Sequence, residues 1–312
     1  MTAMINEKVE RQCLKLGNSD DKDNIIHIAY GIDKKFILPA GVSIVSVLEN
    51  NKKEKFIFHI LIDEISENDV NKFAQITKQY PRVSIHIHVI DVEGVKDLPT
   101  SKRYSCAVYY RLYLSQVIPR NIKKILYIDA DVICLSNLQE LFNINTGNNI
   151  IAAACERIVT EDERRFNSGV LYINLTYWRN CNIPEKLDEF FHQSGEFFYD
   201  QDALNNVLEK NVYFLDRKYN FMLDATEKDI PVDVVLLHYC DEKPWRAWYD
   251  NKDKEYFDYY KALSPWSDVP AELPSDYQQW KYMGHHWLRK HKYLQALKCY
   301  WQYSIDKLKE KR

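Results

Sequence analysis

The sequence predicts an α/β protein built on one central sheet. Three observations predict it. Short apolar, β-rich runs recur between Ile25 and Tyr239, and amphipathic helical stretches separate the early ones. The run Ile125-Leu126-Tyr127-Ile128 stops abruptly at Asp129-Ala130-Asp131, as a buried strand does on reaching a sheet edge. From Tyr256 the composition shifts to aromatics, prolines and bases, which marks a second region.

Taken in order, residues 1–23 are polar and end in Asn18-Ser19-Asp20-Asp21-Lys22-Asp23, a flexible leader. Residues 25–30 are a first strand, closed by the turn Gly31-Ile32-Asp33. Residues 40–48 carry small and apolar side chains with no breaker after Gly41, a buried helix. Residues 56–62 are a second strand, 68–80 an amphipathic helix and 84–90 an alternating third strand. A helix over 107–117 leads to a strand over 124–129. A second block has strands at 150–155 and 169–174, helices at 183–192 and from near Gln201, and a β-like run at 233–239. Strand–helix alternation of this kind argues for a parallel, doubly wound sheet. A domain change falls near residues 250–265.

The chain has 312 residues, 46% of them hydrophobic, enough for one large α/β core and an appendage. A net charge of −3 argues against a general nucleic-acid binder. Residues 281–312 hold nine Lys or Arg against two acids, a net of +7, which leaves −10 for the rest. Seven cysteines are scattered without a C-x-x-C pair, which points to a reducing compartment and argues against structural zinc. No apolar run reaches bilayer length, and the N-terminus has no basic segment followed by an apolar core. Both point to a cytoplasmic protein.

In extended backbone, residues i and i+2 point the same way, so Asp129 and Asp131 offer oxygens to one point. Ligands of open α/β sheets bind beyond such strand ends. The pair suits a hard divalent cation that also holds phosphates. The plainer alternative is two solvated turn carboxylates. With only eight glycines and no G-x-G-x-x-G or P-loop pattern, dinucleotide and P-loop readings lose their sequence support.

Five separated motifs stand in a telling order. They are Ile28-Ala29-Tyr30-Gly31-Ile32-Asp33; Tyr110-Arg111-Leu112 ahead of the Asp-x-Asp; Asn167-Ser168-Gly169-Val170; Asp200-Gln201-Asp202; and His238-Tyr239-Cys240 followed by Lys243-Pro244-Trp245. Over roughly residues 24–250 this order resembles glycosyltransferase family 8. The opening motif and the basic, aromatic tail are similar to its bacterial lipopolysaccharide core glucosyl- and galactosyltransferase branch. The resemblance implies a GT-A type, Rossmann-like mixed sheet flanked by helices, with a C-terminal helical, basic, aromatic extension. It divides the chain into a catalytic domain at 24–255 and an acceptor or membrane-association region at 256–312.

The resemblance also implies a UDP-sugar donor and Mn²⁺ or Mg²⁺ held by Asp129, Asp131 and His238. Donor contacts would come from Asp129, Ala130 and Asp131, and from Arg111 and Lys243 near the diphosphate. Asp33 and the backbone of Ala29 and Tyr30 would face the uridine. Asn167, Asp200 and Gln201 resemble the residues around the transferred sugar. Asp200 would bind its hydroxyls, with Asp202 second for that role. Gln201 is a poor nucleophile, so retention would proceed by front-face departure and attack rather than through a covalent intermediate.

The activity so implied is transfer of glucose from UDP-glucose to a hexose of the lipopolysaccharide outer core, in an α-1,2 or α-1,3 linkage. Its nearest rival uses UDP-galactose. Rivals of other classes are a metal-dependent nucleotide-sugar phosphohydrolase on the same three ligands and a non-catalytic membrane-binding module. In the tail, Leu294, Leu297, Trp301, Ile305 and Leu308 share a helical face flanked by lysines. A basic amphipathic helix of this kind suits the anionic headgroups of the cytoplasmic face of an inner membrane. The alternative is a helix packed on the catalytic domain with a solvated basic face.

Overall fold

The computed structural model describes residues 9–18, 24–101, 105–156, 164–193, 199–223 and 229–310. The chain opens with β1 (Glu10–Leu16), β2 (Ile25–Gly31), α1 (Ile37–Asn50), β3 (Lys55–Ile62), α2 (Glu67–Gln79) and β4 (Val83–Ile90). A 3-10 segment, Cys106–Tyr113, runs into α3 (Leu114–Val117). Then come β5 (Lys124–Ile128), β6 (Val132–Cys134), α4 (Gln139–Phe142), β7 (Ile151–Ala154) and β8 (Val170–Asn174). Helices α5 (Leu175–Asn180), α6 (Ile183–Gln193) and α7 (Asp200–Leu208) precede β9 (Val212–Leu215), β10 (Phe221–Met222) and β11 (Leu236–His238). The C-terminal region is α8 (Lys254–Leu263), α9 (Tyr277–Arg289) and α10 (Tyr293–Glu310).

Eight strands form the main sheet in the order β1-β4-β3-β2-β5-β8-β7-β9, and β10-β11-β6 form a second, small sheet. The parallel expectation holds for β4-β3-β2-β5 and for the edge pair β7-β9. Strand β8 runs antiparallel to both β5 and β7, so the sheet is mixed. The cause lies directly after Asp131. The chain enters β6 of the small sheet instead of a crossover helix, and β8 later returns beside β5 without one.

Alternation along the strands sorts two cores. Ile28, Tyr30, Phe58, Ile60, Leu126 and Ile128 face one side, against α1, α2 and Trp266. Ala29, Leu61, Ile125 and Tyr127 face the other, against the 3-10 segment and α5 to α7. Helix α1 is buried on all sides, consistent with its unbroken apolar sequence. Its Gly41 is required: an added Cβ would lie 2.1 Å from the Trp266 ring.

Two expectations are corrected. The leader is a strand over Glu10–Leu16, paired antiparallel to β4, with Leu14 and Leu16 on the core. Its polar sequence is that of a sheet edge. Residues 1–8 and 19–23 lie outside the described residues. The helix expected over 107–117 is 3-10 up to Tyr113, and α-helical only over Leu114–Val117. Tyr109, Tyr110, Arg111, Leu112 and Tyr113 are all buried, so no solvent face exists to favour the amphipathic α form.

Beyond the small sheet, α8 packs on α1, and Asn50 Nδ2 donates to Tyr260 Oη at 2.7 Å. Helices α9 and α10 form a hairpin tied to the body by Trp248, Met283 and Cys299. The expected apolar face of α10 forms but is not packed inward: Leu294 and Trp301 are 75% and 71% exposed, and Leu297 and Leu308 are exposed with them. Among the described residues no helix is long and apolar enough to cross a membrane.

Candidate active site

Strand β5 ends at Ile128, and the next turn carries both carboxylates. Asp129 N donates to Gly169 O at 2.8 Å, and Val132 N donates back to Asp129 O at 3.1 Å. The turn is thus locked between β8 and β6. Antiparallel pairing of β6 with β11 sets Val132 opposite His238, and Tyr239 N donates to Asp131 O at 3.0 Å. His238 Nε2 then lies 3.3 Å from Asp131 Oδ1. One ligand atom each from Asp129, Asp131 and His238 falls within 4.8 Å of the others.

His238 is fixed from two sides. Its Nδ1 lies 2.9 Å from Asn220 Oδ1, which accepts the Nδ1 proton and aims Nε2 at Asp131; that Nε2 would have to give up its own proton to ligate a cation. Asn220 in turn donates from Nδ2 to Asn167 Oδ1 at 2.9 Å. Gly169 makes room for the ring, because a Cβ there would lie 2.2 Å from His238 Cε1. Neither Asn220 nor Gly169 was singled out as a site residue from sequence. Gly169 belongs to the motif Asn167-Ser168-Gly169-Val170, whereas Asn220 stands in Arg217-Lys218-Tyr219-Asn220-Phe221, where no spacing marks it.

The two carboxylates are held differently. Asp129 Oδ1 accepts from Arg111 Nη2 at 2.8 Å and from Tyr127 Oη at 2.9 Å. Asp131 Oδ2 meets Lys243 Nζ at 2.5 Å, and the same ammonium donates to Tyr239 O at 2.6 Å. Burial works to raise the Asp131 pKa, but Lys243 and His238 outweigh it and hold the group well below the usual carboxylate range. Lys243 therefore lies against one carboxylate of the candidate metal cluster.

Arg111 was expected to meet the donor. It is buried, stacked 4.5 Å over the Tyr127 ring, and bonded to Asp129, to Asp200 Oδ2 at 3.2 Å and to Ser168 O. Its guanidinium positions carboxylates. Asp200 is buried at the start of α7, and its pKa is raised to about 6: burial is the main cause, Asp129 adds to it and Arg111 opposes it. Gln201 beside it has both ends engaged. Its Oε1 accepts from Ser168 N at 3.0 Å and Asn167 Nδ2 at 3.2 Å, and its Nε2 donates to Glu156 Oε1 at 3.0 Å.

The remaining expected residues divide. Ala29 and Tyr30 are fully buried, with Tyr30 Oη 3.0 Å from Ser43 Oγ, so only their backbone can face a donor. Ala130 is buried between the two carboxylates. Asp33 caps the next turn by accepting from Lys35 N at 2.8 Å. Asp202 caps α7 with the Tyr199 amide at 3.3 Å and pairs with Arg165. That is the ordinary role of a carboxylate at a helix start.

The chain matches the family model described as Glycosyl transferase family 8 over residues 27–249, and the family's C-terminal model over 254–307. It is 32% identical to a lipopolysaccharide 1,3-galactosyltransferase of Salmonella typhimurium, covering 97% of this chain and 98% of the relative. It is 31% identical to the lipopolysaccharide glucosyltransferase WaaO of Escherichia coli, covering 91% of each. A solved structure of the galactosyltransferase LgtC with donor and acceptor sugar analogues superposes with a TM-score of 0.67 at 23% identity, covering 81% of this chain and 99% of that one. That likeness confirms the expected GT-A type mixed sheet. On the extent of these matches, this chain belongs to glycosyl transferase family 8.

Proposed function

We propose that this protein transfers glucose, with retention, from UDP-glucose to a hexose of a lipopolysaccharide outer core, using Mn²⁺ or Mg²⁺. The observation that carries the reading is the convergence of Asp129, Asp131 and His238 at the carboxyl end of β5. Two carboxylates and one imidazole fit such an ion, and Mn²⁺ accepts the nitrogen more readily than Mg²⁺ does. The bound ion would stabilise the charge that develops on the departing diphosphate. The chain's own residues do the rest. Lys243, released from Asp131 when the cation takes its place, would close on the phosphates. Asp200 would hold a sugar hydroxyl, and Gln201, its carboxamide fixed by Ser168 and Asn167, would support charge at the reacting carbon. The leaving phosphate would accept the acceptor's proton.

A second reading, transfer of galactose from UDP-galactose, is favoured by the Salmonella relative, which matches nearly end to end. In both, residues 24–255 would be catalytic and 256–312 would serve acceptor and membrane. The exposed apolar face of α10 and the +7 charge of residues 281–312 support attachment to the cytoplasmic face of an inner membrane. The test is UDP release by purified protein with Mn²⁺ or Mg²⁺, with each UDP-sugar, with and without truncated lipopolysaccharide core. Release that needs metal and rises with core supports the transferase, and the better sugar identifies the donor. Release indifferent to core favours the phosphohydrolase.

A further inference from the structure

A second cluster of ligating side chains lies in the main sheet, apart from the carboxylate turn. His59 on β3 pairs across the ladder with His86 on β4, and His88 follows two residues on, so the three imidazoles share one face. One ring nitrogen of each lies within 4.8 Å of the others. His59 Nδ1 and His88 Nε2 are 3.0 Å apart. Two imidazole nitrogens on a tetrahedral Zn²⁺ lie about 3.3 Å apart, given bonds of about 2.05 Å.

The nitrogens pointing away are also held. His88 Nδ1 lies 2.5 Å from Glu10 Oε1 of β1, and His59 Nε2 lies 3.0 Å from His27 Nδ1 of β2. A carboxylate behind a ligating histidine is the usual outer support of an imidazole metal site, because it fixes the tautomer and raises the basicity of the inner nitrogen. A cavity of about 440 Å³ reaches the cluster and is lined by Cys13, His27, His59, His86, His88 and the segment around Pro119. Lys15, opposite His86, adds an unfavourable charge, but it is exposed, and Glu10 opposes it.

We propose that His59, His86 and His88 form a second metal site, selective for a zinc-class divalent ion and independent of the Asp129–Asp131–His238 site. Its donors are nitrogens alone, which favours Zn²⁺, Ni²⁺ or Cu²⁺ over Mg²⁺. Without an ion, the close His59–His88 pair shares one proton. Loading shifts that proton within the chain: His59 turns its N–H to His27, His27 moves its own to the far ring nitrogen, and net charge is conserved. The ion would staple β3 to β4 directly, and β1 to both through Glu10. The scattered cysteines argued against structural zinc, and here imidazoles rather than thiolates supply the site.

The probe is Co²⁺ on the full chain after chelator treatment, since visible bands distinguish tetrahedral imidazole ligation from the aquo ion. Asp131→Asn, which disables the carboxylate site, should still bind one Co²⁺ per chain with those bands. Adding His86→Gln or His88→Gln in that background should abolish them. Zn²⁺ should displace Co²⁺ and raise the melting temperature of the Asp131→Asn protein, and Mg²⁺ should not. Absence of bands in Asp131→Asn overturns the proposal, as do bands that persist through both histidine changes. If wild type binds a single Co²⁺ that His86→Gln removes and Asp131→Asn spares, the carboxylate reading fails and the histidine site stands.

Discussion

Asp131 and Asp129 are chemically alike but spend their charge differently. Asp129 is tied inward to Arg111 and Tyr127, whereas Asp131 faces His238 and Lys243, the groups that would rearrange around a ligand. The quality of the site therefore rests on how His238 is held. Asn220→Ala removes the partner of Nδ1 and should weaken the apparent Mn²⁺ affinity in UDP release by about 10–100-fold. Gly169→Ala pushes a methyl into the ring and should lose metal-dependent turnover more severely, while far-UV circular dichroism stays unchanged. Asp200 gives a pH test. Its pKa is about 6 in the folded protein against an ordinary 3.8, so the ionised form is the penalised one. Its favourable contribution is complete below about pH 4, declines as pH rises to about 6, and then stays low. Two pKa units correspond to about 3 kcal/mol. Asp200→Asn should thus melt higher than wild type at pH 8, with the gap closing toward pH 4, while turnover falls. Thermal unfolding at both pH values measures this, and a lower melting point at pH 8 would contradict it.

Among the elements, α1 and α10 make opposite demands. Helix α1 is enclosed, and Gly41 admits the Trp266 ring that couples the C-terminal region to the main core. Gly41→Ala overpacks that contact and should cost about 1–3 kcal/mol, read as a lower urea midpoint at unchanged m-value. Helix α10 buries Ala296 and Cys299 but leaves Leu294, Leu297, Trp301 and Leu308 in solvent. Replacing these four by Ser removes no core contact. The variant should keep the wild-type melting temperature and lose co-sedimentation with anionic vesicles. Retained sedimentation would remove this face from membrane attachment.

For the whole molecule, the site is a meeting of distant pieces. The turn after β5 supplies the carboxylates, β11 the imidazole, the entry to β8 the space, and α7 the carboxamide. The charge is also divided, with +7 in residues 281–312 against −10 elsewhere. Such a dipole would orient the body away from an anionic surface, with the tail facing it. Vesicle binding should accordingly weaken between about 0.05 M and about 0.5 M salt, as screening shortens from roughly 13 Å to roughly 4 Å. Deleting residues 281–312 is a poor test of the tail, because the cut falls inside α9 and uncovers Trp248.

Local patterning determined β2 to β5, β7, β8 and β11, because apolar runs, and the carboxylates that end one of them, are written residue by residue; it missed the polar edge strand β1 and the short β6, β9 and β10. It also determined the family, through five motifs whose order survives in one dimension. It placed Asp129 and Asp131 near one another, but the extended backbone expected there is a turn, closed by Val132 N on Asp129 O, and the turn rather than strand alternation brings their oxygens to one cluster. The fold alone decided the rest. Asn220 and His238 are eighteen residues apart and meet only because β10 and β11 pair in parallel. Arg111 turns inward because the 3-10 segment is buried continuously from Tyr109 to Tyr113, which no helical period reveals. The His-x-His of β4 reads as an ordinary alternating strand until β3 and β1 bring His59 and Glu10 beside it. Contacts between strands distant in sequence depend on register and sheet order, and those are set by packing energy summed over the whole core rather than by any short stretch of chain.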